Sequence, residues 1–219
     1  MMEVIPVLDI MDGKAVAGKS GRRWEYRELE TVYAVSPDPL EIAKALPHRR
    51  LYVADLDGIT EGRPDYSLLE MLSGAKRLIV DVGVRDYGDY MRAKALDVEV
   101  VVATETLRGD GTLHRMVEEG CIVSIDMKDG GVLSSSLGFE TPSDAFGYFR
   151  DRGADKFIFL DISAVGTLGG NRFGFLEHID TSGAEIMVGG GIVPEDIPVL
   201  DEMGVDGVLV GTALHKGLL

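Results

Sequence analysis

One cysteine, one tryptophan and 22 basic residues are all that this chain of 219 residues offers of three residue types that often announce a function. Cys121 has no second cysteine to join, so no disulfide forms within the chain. Its place at the head of the run Cys121-Ile122-Val123 makes it a small core side chain. The basic residues are outnumbered by 37 acidic ones, and a net charge of −15 excludes the basic face that nucleic acid requires. No window approaches the roughly 18 apolar residues of a membrane span. The opening Met1-Met2-Glu3-Val4-Ile5-Pro6 lacks the basic-then-apolar pattern of a secretion signal, so no membrane association and a cytoplasmic location are expected. No linker, charge block or low-complexity stretch divides the chain, so residues 1–219 are expected to form a single domain. What is abundant is aliphatic residue and glycine: 45% hydrophobic against only 7% aromatic, and 28 glycines that tend to follow apolar runs, as many tight strand-to-loop turns require.

Those apolar runs number eight: Val4–Leu8, Leu51–Ala54, Arg77–Val82, Val98–Ala103, Ile122–Ile125, Lys156–Leu160, Glu185–Val188 and Gly207–Val210. Most are continuously apolar rather than alternating, which is the pattern of parallel strands covered on both faces. Amphipathic segments separate them, at Pro39–Leu46, Tyr66–Leu72, Tyr87–Ala95, Thr112–Glu119, Pro142–Arg152 and Pro194–Met203. Ser36-Pro37-Asp38-Pro39 and Thr141-Pro142-Ser143-Asp144 supply a capping side chain with a first-turn proline. Eight strands alternating with helices predict an α/β fold, a (β/α)8 TIM barrel; an open eight-stranded sheet is the alternative.

An internal repeat supports the barrel. Asp9-Ile10-Met11-Asp12-Gly13-Lys14 resembles Asp126-Met127-Lys128-Asp129-Gly130-Gly131 at an offset of 117. Leu78–Val84 aligns with Ile186–Ile192, and Val101-Val102-Ala103-Thr104 with Leu209-Val210-Gly211-Thr212, both at an offset of 108. Two half-barrels, about 1–117 and 118–219, follow from this, and strand one is expected to face strand five.

Two loops stand out chemically. Gly189-Gly190-Gly191 follows strand seven and Gly211-Thr212 follows strand eight, where barrel enzymes commonly bind phosphate through backbone N–H groups and a helix end. Gly190, Gly191, Gly211 and Thr212 are therefore candidate phosphate ligands. In the first half the matching loops read Asp81-Val82-Gly83 and Thr104-Glu105-Thr106. Two carboxylates there oppose an anion, Arg85 is placed to pair with Asp81, and the site reads as vestigial.

Asp9 and Asp126 end strands one and five. Acids at the C-terminal ends of opposed strands can flank one substrate as proton donor and acceptor, given environments that separate their pKa values. Asp12 and Asp129 precede glycines and read as turn residues. Asp55 and Asp57 after strand two and Asp161 after strand six add acids to the mouth, but no His/Asp spacing supports a metal. His48, His114, His178 and His215 are scattered and expected at the surface. Lys19, Arg22, Arg23 and Arg27, with Trp24 and Tyr26, crowd the loop after strand one and form either a lid over an anionic ligand or a solvated loop.

Ile5-Pro6-Val7-Leu8-Asp9-Ile10, Asp55-Leu56-Asp57-Gly58, Ser124-Ile125-Asp126, Gly166-Thr167-Leu168, Gly189-Gly190-Gly191-Ile192 and Val210-Gly211-Thr212-Ala213 together resemble the HisA/HisF family of histidine biosynthesis, over nearly the whole chain and in order. Asp55-Leu56-Asp57-Gly58 is more similar to HisA, the ribotide isomerase, than to HisF, the cyclase. The resemblance implies a cofactor-independent Amadori rearrangement of a phosphorylated aminoaldose, with Asp9 as base and Asp126 as acid. Further candidates for substrate contact are Lys19, Asp55, Arg85, Asp161, Gly166 and Thr167. A HisF-like reading would imply a glutaminase partner, which nothing in the sequence specifically supports. This chain departs from the family at Asp81-Val82-Gly83 and at Leu160–Thr167, where a family threonine and aspartate are apolar here. Those departures suit a singly phosphorylated substrate, a related lyase, synthase or cyclase reaction, or a barrel that binds a phosphorylated ligand without chemistry.

Overall fold

The computed structural model describes residues 2–169 and 173–219. Its parallel strands are β1 (Glu3–Met11), β2 (Arg50–Asp55), β3 (Arg77–Asp81), β4 (Glu99–Ala103), β5 (Ile122–Lys128), β6 (Lys156–Asp161), β7 (Glu185–Gly189) and β8 (Gly207–Val210). Each hydrogen-bonds to the next. β8 then pairs with β1, from Glu3 opposite Gly207 to Pro6 opposite Val210, and this last ladder closes the sheet into a TIM barrel. The open-sheet alternative is excluded by that pairing.

The strands hide their alternation because both faces are buried in apolar surroundings. Ile5, Tyr52, Ile79, Val101, Ile122, Ile158, Met187 and Leu209 point into the barrel, one from each strand and none more than 3% exposed. Their neighbours, among them Leu8, Val53, Val80, Val123, Phe159 and Val188, point outward under the helices. One face of the barrel is plugged by charge at the strands' N-terminal ends. Arg50 reaches Glu3 at 2.9 Å, Glu99 at 3.2 Å and Glu185 at 3.5 Å.

The helices are α1 (Pro39–Ala45), α2 (Leu56–Glu61), α3 (Tyr66–Ser73), α4 (Tyr87–Lys94), α5 (Leu113–Glu118), α6 (Pro142–Arg150), α7 (Asp196–Glu202) and α8 (Thr212–His215). The two capping signals act as expected. Asp38 accepts from the Glu41 N–H with Pro39 in the first turn, and Thr141 and Asp144 form a reciprocal capping box. α2 was not anticipated: its six residues are too few to show a period, and it starts the moment β2 ends. α8 is only four residues long, so the helix-end contribution expected at the phosphate loops is small, and the loop amides themselves must carry any anion.

β1 and β5 each run three residues beyond the expected end, because each continues into a hairpin. Met11 opposes Lys14 across Asp12-Gly13, and Lys128 opposes Gly131 across Asp129-Gly130. All four turn residues have positive φ, at 51° and 73° and at 52° and 85°, which suits Asp-Gly in a tight hairpin turn. The Asp12 N–H donates to Asp57, and the Asp129 N–H donates to Ser163, so the two halves brace their hairpins at corresponding points.

Candidate active site

In a closed ring of eight strands, each strand faces the one four places on. β1 therefore faces β5, β3 faces β7, and the loop after β4 faces the loop after β8. A cavity of about 380 Å3 opens at the C-terminal ends of the strands. Asp9, Asp126, Gly190, Gly191, Gly211 and Thr212 all line it, so the two candidate acids and the four candidate phosphate ligands share one space. Asp81, Glu105, Tyr52, Arg23, Tyr26 and His215 line it as well.

Asp9 lies beneath the hairpin that follows β1. The fit is close: a methyl group built on Gly18 would come within 2.8 Å of Asp9 Oδ2 and 2.5 Å of a Val165 methyl. Burial pushes the Asp9 carboxyl up from 3.8 to about 6, with the Arg23 charge opposing the rise. Asp126 is 2% exposed. Ser124 Oγ donates to its Oδ1 at 2.7 Å, and the Glu105 N–H donates to its Oδ2 at 3.1 Å. Burial, reinforced by the neighbouring Asp81 charge, holds the Asp126 carboxyl well above the usual range despite those two hydrogen bonds. Asp81 is also buried. It accepts from the Gly83 N–H at 2.8 Å and rises to about 7, first through burial and then, against that hydrogen bond, through the Glu105 charge.

The loop after β1 is folded down on the mouth. Arg23 Nη2 donates to both carboxylate oxygens of Glu105 at 3.0 Å, and the Ser20 N–H donates to the Val165 carbonyl at 2.8 Å. Tyr26 is buried over the cavity, whereas Trp24 is 78% exposed. The loop is a docked cover rather than a solvated excursion.

Five of the six further candidates stand off the cavity. Lys19 pairs with Glu25 at 2.6 Å on the outer side of the loop. Asp55 is a helix cap, accepting from the Gly58 N–H at 2.9 Å and the Asp65 N–H at 2.7 Å. Asp161 caps the short turn at Ile162–Ala164, and in the register that sets Met127 opposite Asp161 it is Leu160 that lines the cavity. Thr167 donates to the Ala164 carbonyl at 2.7 Å. Arg85 does not pair with Asp81. Its guanidinium donates to the carbonyls of Gly58, Gly83 and Ile59 at 3.1, 2.8 and 2.8 Å, satisfying carbonyl groups around α2. Only Gly166 lines the cavity.

His215 corrects the expectation of a surface histidine. It is 2% exposed, with Nε2 at 2.9 Å from the Val7 carbonyl and Nδ1 at 3.0 Å from Thr31 Oγ1. A carbonyl only accepts, so Nε2 carries the proton and Nδ1 accepts from the threonine hydroxyl. Burial lowers its pKa and keeps it neutral. Tyr52 was also missed, because a tyrosine within an apolar run reads as core. The alternation of β2 carries it inside the barrel, where the charges of Asp81, Asp126, Asp9 and Glu105 all act on its hydroxyl. Among the described residues no group of three or more His, Cys, Asp or Glu is arranged to hold a metal ion, and no helix is long and apolar enough to cross a membrane.

Comparison with known proteins agrees with this architecture. The model of the family described as "Histidine biosynthesis protein" matches residues 3–219. An archaeal protein of Methanocaldococcus jannaschii, described as uncharacterized, is 37% identical over all of this chain and 95% of its own length. Relatives from Thermococcus kodakarensis and Chloroflexus aggregans are 34% and 33% identical, over all of this chain and 94% of theirs. Both are named isomerases of an imidazole-4-carboxamide bearing two 5-phosphoribosyl groups. A solved 3-hexulose-6-phosphate synthase shares the fold with a TM-score of 0.62 at 15% identity, covering 97% of this chain and 91% of that one. The chain belongs to the histidine biosynthesis protein family, the group that includes the ribotide isomerases.

Proposed function

We propose that the protein is a cofactor-independent isomerase that converts a phosphorylated aminoaldose to the aminoketose. The observation that carries this reading is the pair Asp9 and Asp126, on opposed strands of one cavity, in environments that hold their protons to different degrees. With a pKa of about 6, Asp9 is ionised at neutral pH and serves as base. Asp126, raised well above the ordinary value, keeps its proton and serves as acid.

The steps balance without a redox partner. Asp126 gives its proton to the ring oxygen as the C1–O bond breaks, and the nitrogen lone pair forms the C1=N bond of a protonated Schiff base. Asp9 then removes the proton from carbon two, and the electron pair left behind forms a C1=C2 enolamine. Loss of the carbon-two hydroxyl proton and return of a proton to carbon one give the ketone. Ser124 and the Glu105 N–H hold Asp126 in one orientation for the first step.

The phosphate is assigned to Gly190, Gly191, Gly211 and Thr212. Among the described residues their N–H groups make no loop or side-chain hydrogen bond, and they border the cavity. In a chain of net charge −15, a phosphate must be captured by such local dipoles rather than by the overall field. The test is conversion of phosphorylated aminoaldoses, the relatives' ribotide among them, to ketose by the protein and by Asp9→Asn and Asp126→Asn. Each substitution is expected to lower kcat about 10²- to 10⁴-fold while ligand still binds. Equal turnover by all three proteins would refute the two-carboxylate mechanism.

Leu160 and Asp81, both on the cavity, favour a second reading, a lyase, synthase or cyclase acting on a related phosphorylated metabolite. That reading expects no rescue of a strain lacking the isomerase, together with saturable binding of a singly phosphorylated ligand.

A further inference from the structure

The two halves of the barrel treat their loop amides in opposite ways. After β7 and β8 the N–H groups of Gly190, Gly191, Gly211 and Thr212 remain free of loop and side-chain partners among the described residues. After β3 and β4 the counterparts of Gly191 and Thr212, the N–H groups of Gly83 and Thr104, are consumed within the protein, and the next amide, that of Glu105, with them. Gly83 N–H donates to Asp81 at 2.8 Å and Glu105 N–H to Asp126 at 3.1 Å, whereas Arg85 N–H and its counterpart Val193 N–H are alike, held by Asp89 and Asp196. Thr104 N–H is taken by the Ser124 carbonyl at 2.9 Å. Gly83 also does not line the cavity, whereas Gly190 and Gly191 do. The cations offer nothing in exchange: Arg85 is spent on three carbonyls, and Arg23 is shared with Glu105.

What this side presents instead is side-chain oxygen. Asp81 and Asp126 border the cavity, and so does Tyr52, a side chain only 3% exposed whose hydroxyl makes no hydrogen bond among the described residues. A hydroxyl that opens on a cavity and has no protein partner is available to a ligand.

We propose that the ligand carries a single phosphate, and that its other end presents hydroxyl or amine groups to Asp81, Asp126 and Tyr52, where the carboxylates of Asp81 and Glu105 exclude a second phosphate. This deepens the reading above and rests on its phosphate assignment. It separates the chain from relatives named for a substrate with two phosphoribosyl groups.

Calorimetric titration of the intact protein with ribose, ribose 5-phosphate and ribulose 1,5-bisphosphate tests it. Ribose 5-phosphate is expected to bind tightest, with the bisphosphate at least about 10-fold weaker, as like charge in a buried site dictates. Asp81→Asn is expected to narrow that ratio, and Tyr52→Phe to weaken ribose 5-phosphate about 5-fold while leaving inorganic phosphate binding unchanged. If ribose 5-phosphate binds no better than ribose, the phosphate assignment falls and this inference with it. If ribose 5-phosphate binds but the bisphosphate binds equally well or better, only this inference falls. That comparison uses the unaltered protein and does not depend on either variant folding. An unchanged ribose 5-phosphate affinity in a folded Tyr52→Phe protein would overturn the assignment of the ligand's other end.

Discussion

Asp9, Asp81 and Asp126 are all carboxylates at the ends of barrel strands, yet each is tuned by a different neighbour. For Asp9 the neighbour is Arg23, whose charge restrains the rise caused by burial. Arg23→Gln removes that restraint, so Asp9 should hold its proton to higher pH. The ascending limb of the kcat/KM profile, expected near pH 6, should then move upward; a limb that stays put would detach Asp9 from it. Asp81 bears on stability. Its carboxyl stands at about 7 in the fold against 3.8 for the free group, so the folded state holds the proton more tightly. Its contribution is therefore most favourable below 3.8 and is lost as pH rises toward 7. Asp81→Asn avoids the buried charge. It should stabilise the protein at pH 8 by up to roughly 4 kcal/mol, with the gain vanishing near pH 4, as read by thermal melts.

Secondary elements were legible wherever a local rule is strong. α1 and α6 announce themselves through Asp38-Pro39 and Thr141-Pro142, and the two Asp-Gly hairpins through their demand for positive φ. α2 was not, and the same oversight made Asp55 look like a mouth acid when it is a cap. The docking of the first hairpin loop was legible only as a cluster of basic and aromatic residues. Its anchor is the approach of Gly166, at φ 80°, to the Gly18 carbonyl, where a methyl group would lie 2.0 Å from the oxygen. Gly166→Ala should pry the loop from its seat, so that trypsin cleaves after Arg22 and Arg23 faster than in the unaltered protein and KM rises several-fold. Unchanged cleavage would mean that the Arg23–Glu105 pair and the Ser20–Val165 hydrogen bond hold the loop without it.

Across the whole molecule, the charge plug and the cavity sit at opposite ends of the same barrel. Arg50 is 13% exposed at its side chain and serves three glutamates from β1, β4 and β7. Arg50→Ala would strip Glu3 and Glu185 of this ion pair and leave Glu99 to Arg77 alone, with an expected loss of about 2–4 kcal/mol in urea unfolding. Ribose 5-phosphate affinity should not change, because the site lies at the other end. A large loss of affinity would mean that the two ends are coupled through the strands. Under the proposed phosphate assignment, the amides at one side of the rim act on the anion locally, and the net charge of the molecule, screened by solvent, matters little.

The order of elements, the half-barrel repeat and the candidacy of Asp9 and Asp126 were already present in the linear chain, because periodicity, capping and turn chemistry act over a few residues and repeat visibly. Barrel closure decided the rest. It fixed which face of each strand turned inward, making a cavity residue of Tyr52 and a cap of Asp161, although both sit in or beside apolar runs. It also decided which amides were spent, since Asp81 and Asp126 reach N–H groups of Gly83 and Glu105 only once the strands are in register. Strand alternation is invisible when both faces are apolar, and hydrogen-bond partners drawn from distant strands leave no local trace.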